Sequence, residues 1–310
     1  MNALLRAHFA LFLVALIYGG NYSIAKVVMD GGHLTPLPFI LLRVTCGTVL
    51  FWLFHAIFIR ERIRRADLGR LALCGLFGVS LNQMFFFTGL DLTTPIDASL
   101  MMTTTPILVL IISALVLGES ITWKKIVGIV LGASGAAFLI GYGQAIRFDR
   151  EVAIGNLFIL LNASFFGIYL VLVKQLMRRY QALTVVKWVF TFGLLLVIPF
   201  GWSGLMEAEW QRFDLPVWGS IAYVLLGTTF LAYLLNALAL KVVNPSVVSI
   251  YIYLQPLLAT GFALLMDKDT LDPVKVASGA AIFAGVYLVS RPGGRSRLQP
   301  EATNGGPRGD

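Results

Sequence analysis

The sequence predicts an all-α polytopic membrane protein in which ten transmembrane helices form two inverted five-helix repeats. Three features support this fold class: a shortage of charged residues, a series of long apolar runs, and an internal repeat. Of the 310 residues, 58% are hydrophobic and only 13% are charged, and the mean hydropathy is +0.82. A soluble domain carries roughly a quarter charged residues. The chain therefore has too few charges to cover the surface of a soluble fold.

Ten apolar runs are long enough to cross a bilayer, which takes roughly 20 residues. All sixteen Asp and Glu residues lie outside these runs, and a large soluble helical protein would not keep runs of this length free of acidic residues. The chain up to Ala25 also resembles a cleavable signal peptide, but the repeat described below needs this first helix. The ten predicted spans are residues 9–29, 37–59, 70–90, 98–118, 124–143, 154–175, 185–204, 217–238, 246–266 and 275–290.

Positive charges in the loops predict the orientation. If the N-terminus is cytoplasmic, seventeen of the 24 Lys and Arg residues lie on the cytoplasmic side and six on the opposite side, with Arg43 inside a span. This distribution satisfies the positive-inside rule, so we expect a plasma (inner) membrane protein with cytoplasmic N- and C-termini. Residues 292–310 are polar and rich in Gly and Pro, which predicts a disordered cytoplasmic tail. Because the net charge of +8 arises in short loops, no nucleic acid is expected as a partner.

The internal repeat is marked by prolines. Pro95 and Pro106 recur as Pro245 and Pro256, each 150 residues later, and a helical serine and a glycine keep the same register. Five helices per repeat is an odd number, so the second copy must enter the membrane from the opposite side. Inverted repeats of this kind are typical of secondary transporters. The two predicted repeats are residues 1–145 and 146–291.

Pro106 and Pro256 lie near the middle of their spans, where a proline lacks the N–H group that a helix needs. The carbonyls left unpaired must face protein or a water-filled cavity, because lipid cannot satisfy them. Polar side chains stand beside both prolines, so we predict two broken helices that meet at a midplane pocket. The alternative is a pair of packing kinks whose hydroxyl groups bond to their own backbone. The candidate solute-binding residues here are Ser99, Thr103, Tyr253 and Gln255.

Polar side chains in other spans extend the predicted pocket. Several of them occupy matching places in the two repeats, as expected for a site at the repeat interface. For each of them, a hydrogen bond between helices is the alternative to a contact with solute. These candidates are Asn21, Tyr22, Asn82, Gln83, Tyr169, Tyr233 and Asn236.

Arg43 is the remaining candidate, and it is the one basic residue deep within a predicted span. It lies about six residues from the start of the span, on the order of 9 Å deep at the rise of a helix. Charged residues at such positions are expensive and usually functional. A guanidinium that snorkels outward, or one that binds a helix-end carbonyl, is the alternative to a solute-binding role.

The chemistry that the sequence lacks narrows the class of protein. No predicted span contains a carboxylate, and no histidine lies near the middle of a span, so no intramembrane proton relay is expected. Neither a phosphate-binding loop nor a catalytic or metal-ligating cluster is recognisable, and we expect no enzyme activity, metal or cofactor. The leading hypothesis is a secondary carrier working by alternating access. The alternatives are a proton-coupled multidrug or metabolite exporter with its coupling group at a helix end, and a membrane sensor or intramembrane enzyme.

Several motifs resemble the EamA family of the drug/metabolite transporter superfamily. They are "IYGGNYSIAK" in the first span, the arginine of "FILLRV" in the second, "GLFG" in the third, and a Pro-x10-Pro fourth span closed by "LGES". The resemblance covers roughly residues 9–290, although the second repeat has "LMDKDT" in place of "LGES". It implies export or exchange of small organic solutes such as amino acids, nucleosides, sugar-linked metabolites or amphiphilic drugs. We therefore expect a transporter of a small organic metabolite such as an amino acid, in contact with membrane lipid and present as a monomer or homodimer.

Overall fold

The computed structural model describes residues 2–30, 32–141, 150–265 and 273–290. Within these ranges the chain is helical and contains no β-strand. Each of the ten predicted spans corresponds to one helix, and nine of the helices in these ranges are long and apolar enough to cross a membrane. The all-α polytopic fold is therefore confirmed. The predicted tail, residues 292–310, lies outside the described residues.

The ten helices follow one another along the chain; the third begins with a 3₁₀ turn at Arg65–Asp67, and a separate 3₁₀ turn at Trp210–Arg212 precedes the eighth. The helix that the sequence predicts at 246–266 is described as three consecutive pieces. In chain order the helices are α1 (Ala3–Asp30), α2 (Pro36–Phe58), α3 (Arg65–Leu92), α4 (Pro95–Leu117), α5 (Trp123–Gly141), α6 (Arg150–Met177), α7 (Ala182–Met206), α8 (Leu215–Val242), α9 (Pro245–Ile250, Tyr251–Tyr253 and Leu254–Leu265) and α10 (Pro273–Ser290).

The first proline of each repeated pair begins a helix. Pro95 and Pro245 occupy the first turn of α4 and of α9, where the missing N–H would have had no partner within the helix. Thr94 caps α4, because its hydroxyl oxygen accepts a hydrogen bond from the backbone N–H of Asp97 at 3.0 Å. At the other end α4 stops at Gly118, whose φ of 65° lies in the left-handed region that glycine adopts readily.

The second proline of each pair follows an interruption. The helix α4 breaks between Pro95–Met102 and Thr105–Leu117, and α9 passes through the 3₁₀ turn Tyr251–Tyr253. Pro106 and Pro256 come two and three residues after these breaks, so neither proline has to supply an N–H to a continuous helix. The structure thus interrupts both helices a few residues before the second proline of each pair.

Two π-helical segments are a further symmetric feature, and the sequence did not suggest them. They lie at Leu76–Ser80 in α3 and at Tyr223–Leu231 in α8. A shift of 150 residues places the first segment inside the second. Single π-helical turns are rare and occur frequently at functional sites, because the extra residue per turn changes which side chains face inward.

Helix packing shows how the two repeats are related. The helix α2 packs against α7 and α5 packs against α10, so helices at equivalent places in the two repeats contact each other. Gly128 of α5 faces the Gly285 carbonyl of α10, and Gly135 faces the Ser278 carbonyl, so this pair is antiparallel. The contact of α1 with α8 is likewise matched by that of α6 with α3. A pseudo-two-fold axis in the membrane plane produces this arrangement, as the predicted inverted repeat requires.

Candidate functional site

A cavity lies between the two repeats, with walls from α1, α2, α3, α6 and α8 and from the interrupted helices α4 and α9. The volume that the centres of water-sized spheres can occupy in it is about 90 Å³. A single water molecule needs roughly 10–15 Å³ on the same measure. The space therefore suits a small solute. Eight of the twelve predicted binding residues line it: Asn21, Tyr22, Arg43, Asn82, Gln83, Tyr233, Asn236 and Gln255.

Arg43 places a positive charge at the wall of this cavity. The residue is 3% exposed, and its guanidinium carbon lies 4.3 Å from the centre of the Phe87 ring. Its Nε donates to Thr229 Oγ1 at 2.9 Å and its Nη2 to Thr228 Oγ1 at 3.4 Å. In the described part of the chain, Nη1 has no hydrogen-bond partner and no Asp or Glu lines the cavity. The guanidinium therefore lacks a counter-ion there, and its contacts are with side chains rather than with a helix-end carbonyl.

The π-helical segment of α8 explains why two consecutive threonines reach Arg43. The hydroxyls of Thr228 and Thr229 both donate to the carbonyl of Val224, each at 2.9 Å. In an α-helix a hydroxyl reaches a carbonyl three or four positions earlier, whereas a π-helix also brings the residue five positions later to that carbonyl. Because both hydroxyl hydrogens are engaged, both hydroxyl oxygens are left to accept from the guanidinium.

Side-chain amides form a second group of polar atoms at the cavity. Asn162 Nδ2 donates to the carbonyl of Asn82 at 2.7 Å. Gln83 Nε2 lies 3.5 Å from the hydroxyl of Tyr233, which in turn donates to the carbonyl of Gly78 at 3.0 Å. These donor contacts fix the orientation of both amides. Among the described residues, Asn21 Oδ1, Gln83 Oε1 and Asn162 Oδ1 are buried acceptors without a hydrogen-bond partner.

A second, larger cleft lies beside the cavity, with a volume of about 390 Å³ on the same measure. One wall is the first half of α4, including Ser99, and the facing wall is the second half of α9, including Thr260. Tyr22 and Gln255 line both the cleft and the central cavity. The Tyr22 hydroxyl donates to Gln255 Oε1 at 3.3 Å. This pair therefore stands between the two spaces.

At the opposite end of the interrupted helices the two repeats are joined. The second half of α4 packs against the first half of α9, and Ser246 Oγ donates to Glu119 Oε1. Lys125 Nζ donates to the same carboxylate oxygen at 2.7 Å. The Glu119 side chain is 5% exposed, and its Oε2 has no partner in the part of the chain that the structure covers. Glu119, the acidic residue of the "LGES" motif, thus binds the first turn of α9.

Four predicted binding residues do not line the central cavity. Ser99 and Thr103 donate to carbonyls of their own helix, those of Ile96 and Leu100, as the packing-kink alternative expects. The hydroxyl of Tyr253 donates to the Thr103 carbonyl at 3.0 Å. The Thr103 carbonyl makes no regular helical hydrogen bond at the break in α4, because the N–H groups of Ile107 and Leu108 donate to the Thr104 carbonyl instead.

Tyr169 is the fourth of these residues, and it packs over Gly78, where a Cβ atom would come within 2.2 Å of its ring. This contact joins α6 to the π-helical segment of α3, so the tyrosine acts in helix packing. The close approach is possible because residue 78 has no side chain.

The cavity is also lined by residues that were not predicted from the sequence, and Asn162 and Tyr18 are two polar ones. Both lie in long apolar runs, and an isolated polar residue in such a run was a usable signal. Neither residue, however, has a polar counterpart in the other repeat. At an offset of 148 residues Asn162 pairs with Val14 and Tyr18 with Phe166; all four line the cavity, but each pair combines a polar with an apolar side chain.

Interrupted helices at matched positions of two inverted repeats, facing one cavity between the repeats, are the architecture of membrane transporters. The sequence profile of the EamA-like transporter family matches residues 5–141 and 153–291, one match for each five-helix unit. The chain therefore belongs to the EamA-like transporter family, and its relatives are transporters of the drug/metabolite transporter superfamily.

Several curated proteins are similar along almost the whole chain. An uncharacterized transporter of Archaeoglobus fulgidus is 25% identical over 92% of this chain and 97% of its own length. A probable terminal-alkyne amino-acid exporter of Streptantibioticus cattleyicolor is 29% identical over 92% of this chain and 94% of its own. A solved crystal structure that is 19% identical covers 92% of this chain and 98% of its own, with a TM-score of 0.74. At this identity the last comparison supports the fold alone.

Proposed function

We propose that this transporter exports or exchanges a small organic solute that carries a carboxylate, such as an amino acid. The observation that carries the proposal is Arg43, a buried guanidinium at the cavity wall with no acidic residue beside it among the described lining residues and with a free Nη1. A buried charge that lacks its partner costs about 3–5 kcal/mol. A bound carboxylate supplies that partner, and its two oxygens match the fork of the guanidinium.

The relatives favour the same class of solute. The Streptantibioticus cattleyicolor protein is named a probable terminal-alkyne amino-acid exporter, and it aligns with nearly all of this chain. An amino acid is a small carboxylate-bearing solute of the kind that Arg43 fits. The name therefore supports both the amino-acid class and the outward direction of transport.

The two ends of the interrupted helices support an alternating-access mechanism. The first half of α4 and the second half of α9 form opposite walls of the larger cleft, whereas the other halves are joined through Glu119 and Ser246. If the termini are cytoplasmic, the cleft lies on the outer side and the joined halves lie on the cytoplasmic side. We infer that this is an outward-facing conformation, in which separation of Tyr22 and Gln255 releases solute into the cleft.

The orientation can be tested by labelling single cysteines from outside the cell. In a variant with both native cysteines replaced, we expect Glu207→Cys and Glu209→Cys to react with a membrane-impermeant thiol reagent in intact cells. Arg62→Cys should react only after the cells are permeabilised. All three residues are exposed loop positions. A difference in their labelling therefore reflects the side of the membrane on which they lie and not burial in the protein. Labelling of Arg62→Cys, but of neither glutamate variant, in intact cells would reverse the orientation.

The proposed substrate class can be tested with the purified protein in liposomes. Vesicles loaded with an unlabelled mixture of L-amino acids should exchange it for external radiolabelled amino acid, with saturation. Amines that lack a carboxylate should not compete. Empty liposomes and liposomes with heat-denatured protein serve as controls. Saturable exchange of cationic amines, without exchange of any amino acid, would reject the proposal.

A second candidate function is proton-coupled export of an amphiphilic drug or metabolite, and Glu119 favours it. Its carboxylate is buried at a helix end, and one of its oxygens has no hydrogen-bond partner among the residues that the structure describes. In this case an imposed pH gradient should drive accumulation of a fluorescent amphiphilic cation in liposomes, and Glu119→Gln should abolish it. Asp97→Asn, at the other end of α4, is the matched control. If a pH gradient drives no cation movement in the unaltered protein, this candidate is excluded.

A further inference from the structure

We infer that the cavity binds the ammonium group of its solute as well as the carboxylate, through the amide oxygens of Asn21, Gln83 and Asn162. The inference rests on the proposed function, because it takes the carboxylate to be held by Arg43. It narrows the solute from carboxylates in general to zwitterionic amino acids. It also gives a role in specificity to Asn162, a residue in the middle of α6.

The three oxygens share two properties that point to a ligand. Each belongs to a side chain that is at most 3% exposed, and each lacks a hydrogen-bond partner within the described ranges. All three side chains line the cavity that Arg43 lines. A buried acceptor without a partner destabilises the empty protein, so three of them on side chains that line one cavity indicate donors that arrive with the solute.

Two of these oxygens are assigned by their own hydrogen bonds. The amide nitrogen of Asn162 is used by the carbonyl of Asn82, at 2.7 Å, and an oxygen in its place would meet another acceptor. The Tyr233 hydroxyl gives its hydrogen to the Gly78 carbonyl and can therefore only accept from Gln83 Nε2. The oxygens of Asn162 and Gln83 are thus the groups left for a donor.

The charge of the cavity explains why neutral acceptors suit an amino acid. A carboxylate side chain placed for the ammonium would lie in the same cavity as Arg43, and it would compete with the carboxylate of the solute for the guanidinium. Amide oxygens accept hydrogen bonds from an ammonium without adding charge. A solute with a carboxylate but no amine would leave all three oxygens unpaired, and it would also place its own oxygens near them.

The remaining walls indicate the side chain of the solute. Val14, Phe86, Met102, Phe166 and Ile252 give the cavity an apolar surface beside the polar groups. An apolar side chain buries surface there at a gain of about 25 cal/mol per Å². The aromatic rings also tolerate a nearby cation. The chemistry of the whole cavity therefore fits a zwitterion with an apolar side chain.

The test compares three forms of the same solute by calorimetric binding to the purified, detergent-solubilised full-length protein. For apolar L-amino acids such as phenylalanine and leucine, the probes are the amino acid, the acid that lacks the amine, and the amine that lacks the carboxylate. We expect the amino acid to bind on the order of tenfold or more tightly than the deaminated acid, because hydrogen bonds to a charged group are lost. The decarboxylated amine should bind most weakly.

Two variants separate a specificity role from a structural one. In Gln83→Met and Asn162→Ala we expect the affinity for the amino acid to fall, while the affinity for the deaminated acid stays within about twofold of that of the unaltered protein. The preference for the amino acid over the deaminated acid should therefore become smaller. The matched control is Ser164→Ala in the same helix, whose hydroxyl bonds to the Leu160 carbonyl and which does not line the cavity. Melting temperatures identify any variant that fails to fold, and either variant alone suffices for the test.

The possible outcomes distinguish this inference from the proposed function. Equal binding of amino acid and deaminated acid by the unaltered protein would overturn the ammonium site and leave recognition of the carboxylate standing. Binding of the amine but not of the acid would overturn the role of Arg43, and with it both proposals. A parallel loss of affinity for the acid and the amino acid in both variants would show that the amides only maintain the shape of the cavity.

Discussion

Arg43→Lys is expected to reduce carboxylate-dependent transport by at least about tenfold, although the charge is retained. The lysine ammonium is a point charge and cannot reproduce the two parallel hydrogen bonds of a guanidinium. It would also lose the geometry by which Nε holds Thr229 and the guanidinium stacks on Phe87. Because a hydrogen bond to a charged group contributes about 1.5–3 kcal/mol, the loss of one such bond to solute corresponds to this reduction. Exchange in liposomes measures it directly.

Arg43→Gln should affect transport and stability in opposite directions. Transport should fall below that of Arg43→Lys, because no charge remains to bind a carboxylate. The empty protein should melt at an equal or higher temperature, since the substitution removes a buried charge that has no counter-ion among the described residues. A site that binds charge is commonly less stable when empty. The measurements are exchange in liposomes and thermal unfolding in detergent, both without and with amino acid.

The control for these substitutions is Arg62→Lys, which changes an exposed loop arginine in the same way. It should alter neither exchange nor melting. Amino-acid exchange that persists unchanged in Arg43→Gln would show that the arginine serves only to join α2 to α8 through the two threonines. A large drop in melting temperature in Arg43→Gln would support the same conclusion.

The features that could be predicted from the sequence are those that depend on backbone chemistry. A proline lacks an N–H wherever it lies, so Pro106 and Pro256 marked the interruptions of α4 and α9 without knowledge of their neighbours. Runs of apolar residues without carboxylates likewise specify a membrane span from composition alone. The opposite directions of α5 and α10 likewise follow from the odd number of helices in a repeat, whereas their contact was not predicted.

The identity of the cavity residues was harder to predict, because side-chain direction depends on local helix geometry. Ser99 and Thr103 share a face with Pro106 in a regular helix, but the helix breaks at Thr103, and both hydroxyls bond to carbonyls of the same helix. The π-helical segments of α3 and α8 also shift the register of every residue after them. No periodicity rule signals such a segment, so Thr228 and Thr229 could not be assigned to Arg43 in advance.

The contact between the two interrupted helices can be tested by adding a single methyl group. Gly132→Ala is expected to lower the melting temperature strongly and to impair transport, because its Cβ would lie 2.3 Å from Tyr253 Cδ2 and 2.7 Å from Cε2. Tyr253 is fully buried, and its hydroxyl bonds to the Thr103 carbonyl at the break in α4. Displacement of the ring combines overpacking, about 1–3 kcal/mol, with an unpaired buried carbonyl, about 1–3 kcal/mol.

The matched control lies at the end of the same helix. Gly141→Ala adds the same methyl group where no atom of the described residues lies within 4 Å, so it should leave the protein unchanged or slightly more stable. Tyr253→Phe keeps the ring but removes the hydroxyl, so it should lower the melting temperature only by the amount that comes from leaving the Thr103 carbonyl unpaired. In the background of Tyr253→Ala, Gly132→Ala should cost little further stability, because the clash is gone and contacting residues are not additive. If Gly132→Ala and Gly141→Ala melt alike in the unaltered background, the tyrosine does not hold the two broken helices together.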